Sequence, residues 1–386
     1  MFTTTLDRFA MAPILVPIAK TLRTPVSAIV GTAAIYYLVY GLMQPVWGLL
    51  SDRFGRLTVM RIGLAGAAAA GVASTLVPDL ASLLVARALA GAFFAAVFPA
   101  SLVYVGDAFP LARRQAVIAD LLAATAIGTG AGSLGAGLLA QYTTWRLAFA
   151  LPAVLAAVLT ILLRRVAEPS RAASGMAVRA RLGVVLRNRW AVYVITLAFG
   201  QGAIMFGFLT YFAPALESHG VTAGLAGFVV ASYGLSVLLL TQALKQLVGR
   251  TGPLPLMAAG GLATVAGYGL AALNQREVSV LAASALVGAG FALLHSSIQT
   301  WATDVTPVAR GTAVAFFAGA AFVGGALSTA AVADLAARGN YRGLFLTAAG
   351  LAVVVTLVAT VGRWRYRPAG AVSSPGAGVT LPRTST

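Results

Sequence analysis

Apolar positions in this chain fall in long, nearly unbroken runs with short polar interruptions, without the alternation of strands or the one-sided stripe of a surface helix. Twelve such runs stand out, at approximately 5–22, 26–50, 58–77, 81–105, 115–140, 146–163, 190–215, 222–247, 254–273, 279–303, 310–335 and 343–362. Each is about the length a helix needs to cross a hydrocarbon layer of about 30 Å. Spanning backbone must satisfy its own hydrogen bonds, which leaves helices as the form such runs take. The pattern predicts an all-α membrane protein with twelve transmembrane helices.

One interruption is longer than the rest. The stretch "RRVAEPSRAASGMAVRARLGVVLRNRW" is polar, carries seven arginines and divides six runs from six. The expected plan is an N-terminal six-helix bundle at 1–163 and an inter-bundle loop at 164–189. A second bundle at 190–362 and a tail at 363–386 complete it. Residues 177–188 have the makings of a short amphipathic helix lying on the membrane surface. The tail, rich in Pro, Gly and Ser, has too little apolar surface to fold.

Composition sharpens this. Of 386 residues, 59% are hydrophobic and 10% charged, where a soluble domain carries about a quarter charged. The formal net charge of +17 raises nucleic acid as a partner, but the placement of the basic residues opposes it. With the N-terminus inside, nineteen basic residues fall on the inner side and six on the outer, the bias that orients membrane proteins. The basicity therefore positions the chain in its bilayer, with both termini cytoplasmic. The chain has no cysteine, which removes disulfides and thiolate metal sites.

The halves repeat. "RALAGAFFAAVFPASLVYVGDAFPLARR" aligns without gaps onto "SALVGAGFALLHSSIQTWATDVTPVARG", both ending in Asp-x-x-Pro-x-x-Arg: Asp107, Pro110 and Arg113, then Asp304, Pro307 and Arg310. Proline suits the first turn of a helix, and charges near helix ends interact with the dipole. The arrangement implies two parallel six-helix repeats with a site near the midplane between them.

The loop "GLLSDRFGR" concentrates charge between two apolar runs. Gly48 is expected to let a neighbouring helix approach, and Gly55 to permit a tight turn. Asp52 and Arg56 can make contacts that form and break as two halves rock, a latch. Gly48, Asp52, Arg53, Gly55 and Arg56, with Leu50, resemble the signature loop of the major facilitator superfamily, most closely its twelve-helix drug:proton antiporter branch. The resemblance implies two pseudo-symmetric six-helix bundles, the major facilitator fold. It also implies that Arg56 pairs with Asp107, and that Asp52 meets the start of the eleventh helix near Pro307–Gly311 in the outward-facing state. "LLVARALAG" is similar to the family's fourth-helix motif at Arg87 and Gly91. "GTGAGSLGAG" is similar to its fifth-helix antiporter motif, except that Ser133 stands for proline and Ala136 for glycine. The matching loop of the second half has Gln246 in the place of Asp52, so the latch is expected to be one-sided.

Ionisable residues inside spans cost about 2.5–3.5 kcal/mol each on insertion scales, which marks them as functional candidates. In the family the first, fourth, seventh and tenth helices line the central cavity. Asp7, Asp120 and His295 are candidates for proton coupling. Counting rise per residue puts Asp7 in the inner half, as a proton carrier or a headgroup anchor. The same count puts Arg87 near the outer end, where it either modulates the proton site, binds an anionic group or snorkels. Arg8 is expected to pair with Asp120. Arg87, Tyr37, Gln201, Tyr211, His295 and Gln299 are candidates to line a substrate cavity, with His295 and Gln299 one turn apart on one face.

The resulting expectation is a proton-coupled secondary transporter that exports small organic molecules by alternating access. It would work as a monomer in the bacterial inner membrane, with the proton gradient as energy source and no cofactor or metal. The alternative is uptake or exchange of a sugar, nucleoside or amino-acid-like metabolite on the same fold. No Gly-x-x-x-x-Gly-Lys loop and no catalytic His-Glu-x-x-His or Gly-x-Ser-x-Gly motif occurs, which speaks against a nucleotide-driven pump and an enzyme.

Overall fold

The computed structural model describes residues 1–168, 178–247 and 251–367. Eleven of its helices are long and apolar enough to cross a membrane. They are Val26–Phe54, Arg56–Leu76, Leu80–Ala108, Ala116–Tyr142, Leu147–Arg165, Arg189–Glu217, Ala223–Ala243, Pro253–Leu273, Glu277–Asp304, Pro307–Ala337 and Tyr341–Arg365. The predicted first span is present as two shorter helices, Phe2–Ala10 and Leu15–Leu22, joined through a 3-10 turn at Ala12–Ile14. Pro13 falls in the interruption and Pro17 in the first turn of the helix that follows, each removing a backbone donor. Counted with it the chain makes twelve passes, numbered first to twelfth below.

The repeat extends to the irregularities. The first span breaks at Ala12–Ile14 and the seventh at a 3-10 turn, Phe208–Tyr211. The fourth is interrupted at Ala95–Ala96, and the tenth has a π-turn at Phe291–His295. Each pair stands at the offset that relates Asp107 to Asp304. Interrupted helices in corresponding positions of two repeats are a pointer to a binding site.

The halves meet along two seams, fifth against eighth span and second against eleventh. Both depend on absent side chains. A Cβ on Gly41 would come 2.7 Å from the Gly319 carbonyl. One on Gly227 would collide with the Ser133 carbonyl, and one on Gly137 with that of Ala223. Ser133, standing where the antiporter signature has proline, donates from Oγ to the Gly227 carbonyl at 3.1 Å, one of the polar contacts that hold membrane helices together.

The surface helix forms at Val178–Arg187. Residues 169–177, and the tail beyond 367, lie outside the described residues, as does the second-half loop position Gly249–Arg250.

Candidate functional site

The signature loop comes first. Gly55 has φ 104°, a conformation that favours glycine, and turns the chain from the second span into the third. The carboxylate of Asp52 accepts from Arg56 Nη1 at 2.6 Å, and Arg56 Nε donates to Asp107 at 3.2 Å. Arg53 lies over the Phe54 ring. Two contacts differ in this conformation, one of them, that of Asp52 with the eleventh span, being the contact expected for the outward-facing state. Across the interface, Asp52 is engaged by Arg181 of the surface helix at 2.9 Å. That helix packs on Pro307–Ala309, so it stands between Asp52 and the start of the eleventh span. Gly48 makes no close approach, since a Cβ there would meet nothing within 4 Å.

Glu168, which the sequence reading passed over, caps the third span. Its carboxylate accepts from the backbone N–H of Arg56, Leu57 and Thr58 at 2.5–3.3 Å, at the helix end where the dipole favours negative charge. A lone acid in an otherwise basic linker was the available signal.

Asp7 and Arg87 form one site. Arg87 donates from Nη1 and Nη2 to the two carboxylate oxygens of Asp7 at 2.9 and 2.7 Å, both side chains being 0–1% exposed. The guanidinium lies between the rings of Tyr36 and Phe149, 4.7 and 4.5 Å from their centroids. By rise per residue Arg87 is about 10 Å from the predicted outer end of its span, and Asp7 about 8 Å from the N-terminal end of its own. Sealed against each other at 0–1% exposure, neither is a headgroup anchor or a snorkelling group. The fourth span runs 29 residues, Leu80–Ala108, so Arg87 lies well inside it although it is far from Asp107.

Arg8 does not meet Asp120. Asp120 is exposed on the fifth span, and among the described residues it forms no ion pair. Arg8 instead faces a cavity between the halves of about 290 Å³. Its guanidinium is 5.0–5.8 Å from the ring centroids of Phe322, Phe9, Phe206 and Tyr40. Of the predicted lining residues, His295 and Gln299 face this cavity. His295 bonds through Nδ1 to the Gln201 side-chain oxygen at 2.7 Å, not to Gln299, and stacks on Phe291 at 4.4 Å. With the amide oxygen as acceptor, Nδ1 carries the proton in the neutral ring and Nε2 is the acceptor. Gln201 stands behind His295, fully buried. Tyr37 packs against Phe206 and Phe322 beside the cavity. Tyr211 is elsewhere, donating to the Thr329 carbonyl deep in the second half. Tyr40 and Gln44, which share a face of the second span, take its place in the lining.

The cavity extends from Arg8 and Phe206 toward the end of the bundle that carries Met1 and Thr300. At the other end the first and seventh spans pack together, Phe212–Glu217 against Ala12–Ile14 and Leu15–Leu22. This is a two-bundle membrane protein with a central cavity, closed at one end, the architecture of a transporter. The family model of the Major Facilitator Superfamily matches residues 1–222 and 212–385, and the chain belongs to that family.

Among relatives, a triacylglyceride transporter of Mycolicibacterium smegmatis is 28% identical over 177 residues, 43% of this chain and 32% of the relative. The puromycin resistance protein of Streptomyces alboniger is 30% identical over 167 residues, 43% of this chain and 33% of the relative. The chain spans about a third of the length of those relatives. The multidrug efflux pump LfrA of Mycolicibacterium smegmatis also matches, at 28%. In structure, the partially occluded inward-open xylose transporter XylE from E. coli superposes with a TM-score of 0.76 at 17% identity, covering 95% of each chain.

Proposed function

We propose that the protein exports small organic molecules across the bacterial inner membrane by alternating access, driven by proton entry, as a monomer with both termini cytoplasmic. The observation that carries this reading is the Asp7–Arg87 pair, two charges sealed within the membrane on spans that border the cavity. Breaking a buried pair by removing one charge costs about 3–5 kcal/mol. A pair of this kind holds the first and fourth spans while Asp7 is ionised. A proton on Asp7 removes the carboxylate's charge and with it the reason for Arg87 to stay. The relation between the two spans is thereby tied to a proton, which is what coupling requires.

The latch supplies the second moving part. Arg181 on the inter-bundle segment holds Asp52, so a rocking motion of the halves passes through that contact. Export rather than uptake is supported by the resistance and efflux names among the relatives. The cavity's position toward the basic end agrees with a state open to the cytoplasm.

The test is accumulation of substrate into inverted membrane vesicles under an imposed acid-inside pH gradient, with Asp7→Asn beside wild type at matched expression. Gradient-driven movement in wild type that Asp7→Asn lacks, while passive exchange of the same compound persists, is the expected result. Accumulation that ignores the gradient would overturn the coupling. Protection by wild type against no toxic compound in an efflux-deficient host would favour metabolite uptake or exchange.

A further inference from the structure

We infer that the cavity selects organic anions, compounds joining a carboxylate or related acid to one small aromatic or lipophilic body. The inference deepens the transport reading and rests on it. Arg8 projects into the cavity, yet no aspartate or glutamate is among the lining residues. Asp7, its neighbour in sequence, is neutralised by the two-fold contact with Arg87, and among the described residues Arg8 forms no ion pair. The rings around Arg8 soften a positive charge without neutralising it. The result is an uncompensated guanidinium facing the cavity, where a cationic ligand is repelled and an anion gains a forked donor.

A second observation points to the same ligand. Gln44 is 1% exposed and lines the same cavity. Neither its amide nitrogen nor Arg8 Nε has a close hydrogen-bond partner, although both side chains reach the Tyr40 hydroxyl. Buried donors are normally satisfied. Both unsatisfied groups here are donors, and Tyr40 stands beside each, one turn before Gln44 and 5.8 Å beneath Arg8. An acid oxygen placed over Tyr40 would take up both.

The apolar body has a place as well. Phe206 and Phe322 stack at 4.7 Å and 3° beside Arg8, and Phe291, 6.5 Å from Phe206 and stacked on His295, continues the aromatic wall. A volume of about 290 Å³ is at the lower limit for ligand pockets, so the body is one ring system, not an extended chain.

Naphthylacetate and naphthylmethylammonium share a body and differ in charge, and binding of each to the purified full chain by equilibrium dialysis tests the inference. Wild type is expected to bind the anion saturably and about ten-fold or more tighter than the cation, the worth of one charge-assisted hydrogen bond. Arg8→Gln should erase that preference, Arg8→Lys should keep most of it, and Gln44→Leu should weaken the anion by about three-fold. Should Arg8→Gln fail to fold, the Lys and Leu variants still decide. Equal or reversed preference, no saturable anion binding, or a preference untouched by Arg8→Gln would overturn the inference. Proteoliposome flux separates the two readings. An anion that binds through Arg8 but is never carried sinks the transport function and leaves the site. A carried cation sinks the site and leaves the transport function.

Discussion

The first and fourth spans meet through charge, whereas the seventh and tenth, their counterparts in the repeat, meet without it. Arg87 aligns with Ser284. The arginine holds Asp7 in a two-fold ionic contact, while Ser284 donates to the Val230 carbonyl. Asp7 and Arg8 align with Ile204 and Met205. In the second half the polar contact is the neutral bond between His295 and Gln201, framed by Phe291 and Phe317. A repeated scaffold therefore carries two different chemistries on corresponding spans. A fold needs neither at both positions, so each is an addition to the scaffold. An ionic pair responds to a proton, whereas a neutral aromatic wall responds to the shape of what sits against it.

The most damaging way to break this contrast is to remove one member of the ionic pair. Arg87→Leu leaves Asp7 ionised and buried alone, and Asp7→Leu does the same to Arg87. Each single change should lower stability by about 3–5 kcal/mol, and the double replacement should recover most of it, since a buried pair exchanged for apolar volume is often neutral or stabilising. Thermal melting in detergent measures the recovery. The double variant should be folded yet unable to use a pH gradient. If it still does, the ionic half is structural and the contrast has been misread.

His295→Leu probes the neutral half. It leaves the Gln201 side chain buried without a partner, at a cost of about 1–3 kcal/mol, and the double change with Gln201→Leu should cost less than the sum. His295→Gln should alter which compounds are carried while gradient-driven transport continues. Loss of gradient drive in that variant would move proton coupling to the second half.

How the sequence led to these spans and not to their pairings has a physical reason. Span positions follow from hydropathy, and the Arg56–Asp107 contact from the resemblance of the signature loop to its family. The depth of Asp7 and Arg87 was counted along one helix at a time. The fourth span is longer than the bilayer requires and the first is broken, so two counts from opposite ends described residues that touch. The Arg8–Asp120 pairing failed differently: equal depth does not establish that side chains face one another. Direction around a helix is set by the fold, and this fold turns Arg8 toward Phe206 and Phe322. His295 was legible as an intramembrane ionisable group; its partner lies on another span and left no local trace.

The latch yields a smaller effect, because its charges are partly wet. Arg181 and Asp52 are 18% and 29% exposed, and such pairs contribute about 0.2–1 kcal/mol. Arg181→Ala should therefore hardly move the melting temperature. Transport is the sharper readout: if the surface helix transmits rocking, the rate falls while ligand binding stays. An unchanged rate would reduce Arg181 to a surface contact and leave Asp52 and Arg56 to act within the first half alone.

Gly48 gives the smallest and most discriminating change. It lies inside the helix Val26–Phe54, where glycine costs about 0.5–1 kcal/mol relative to alanine. A Cβ there meets nothing within 4 Å, so Gly48→Ala should leave the fold intact or raise stability by about that amount. Gly202→Ala, by contrast, drives a methyl into the Ala321 backbone and should destabilise by about 1–3 kcal/mol, as overpacking does. The interest of Gly48→Ala is in activity. If the variant is as stable as wild type and equally active, the glycine of the signature loop has no part in the cycle. If it is stable but fails to transport, some helix must approach Gly48 in a conformation other than this one. The signature would then record packing in the opposite state of the cycle, on the same loop whose charges are already paired here.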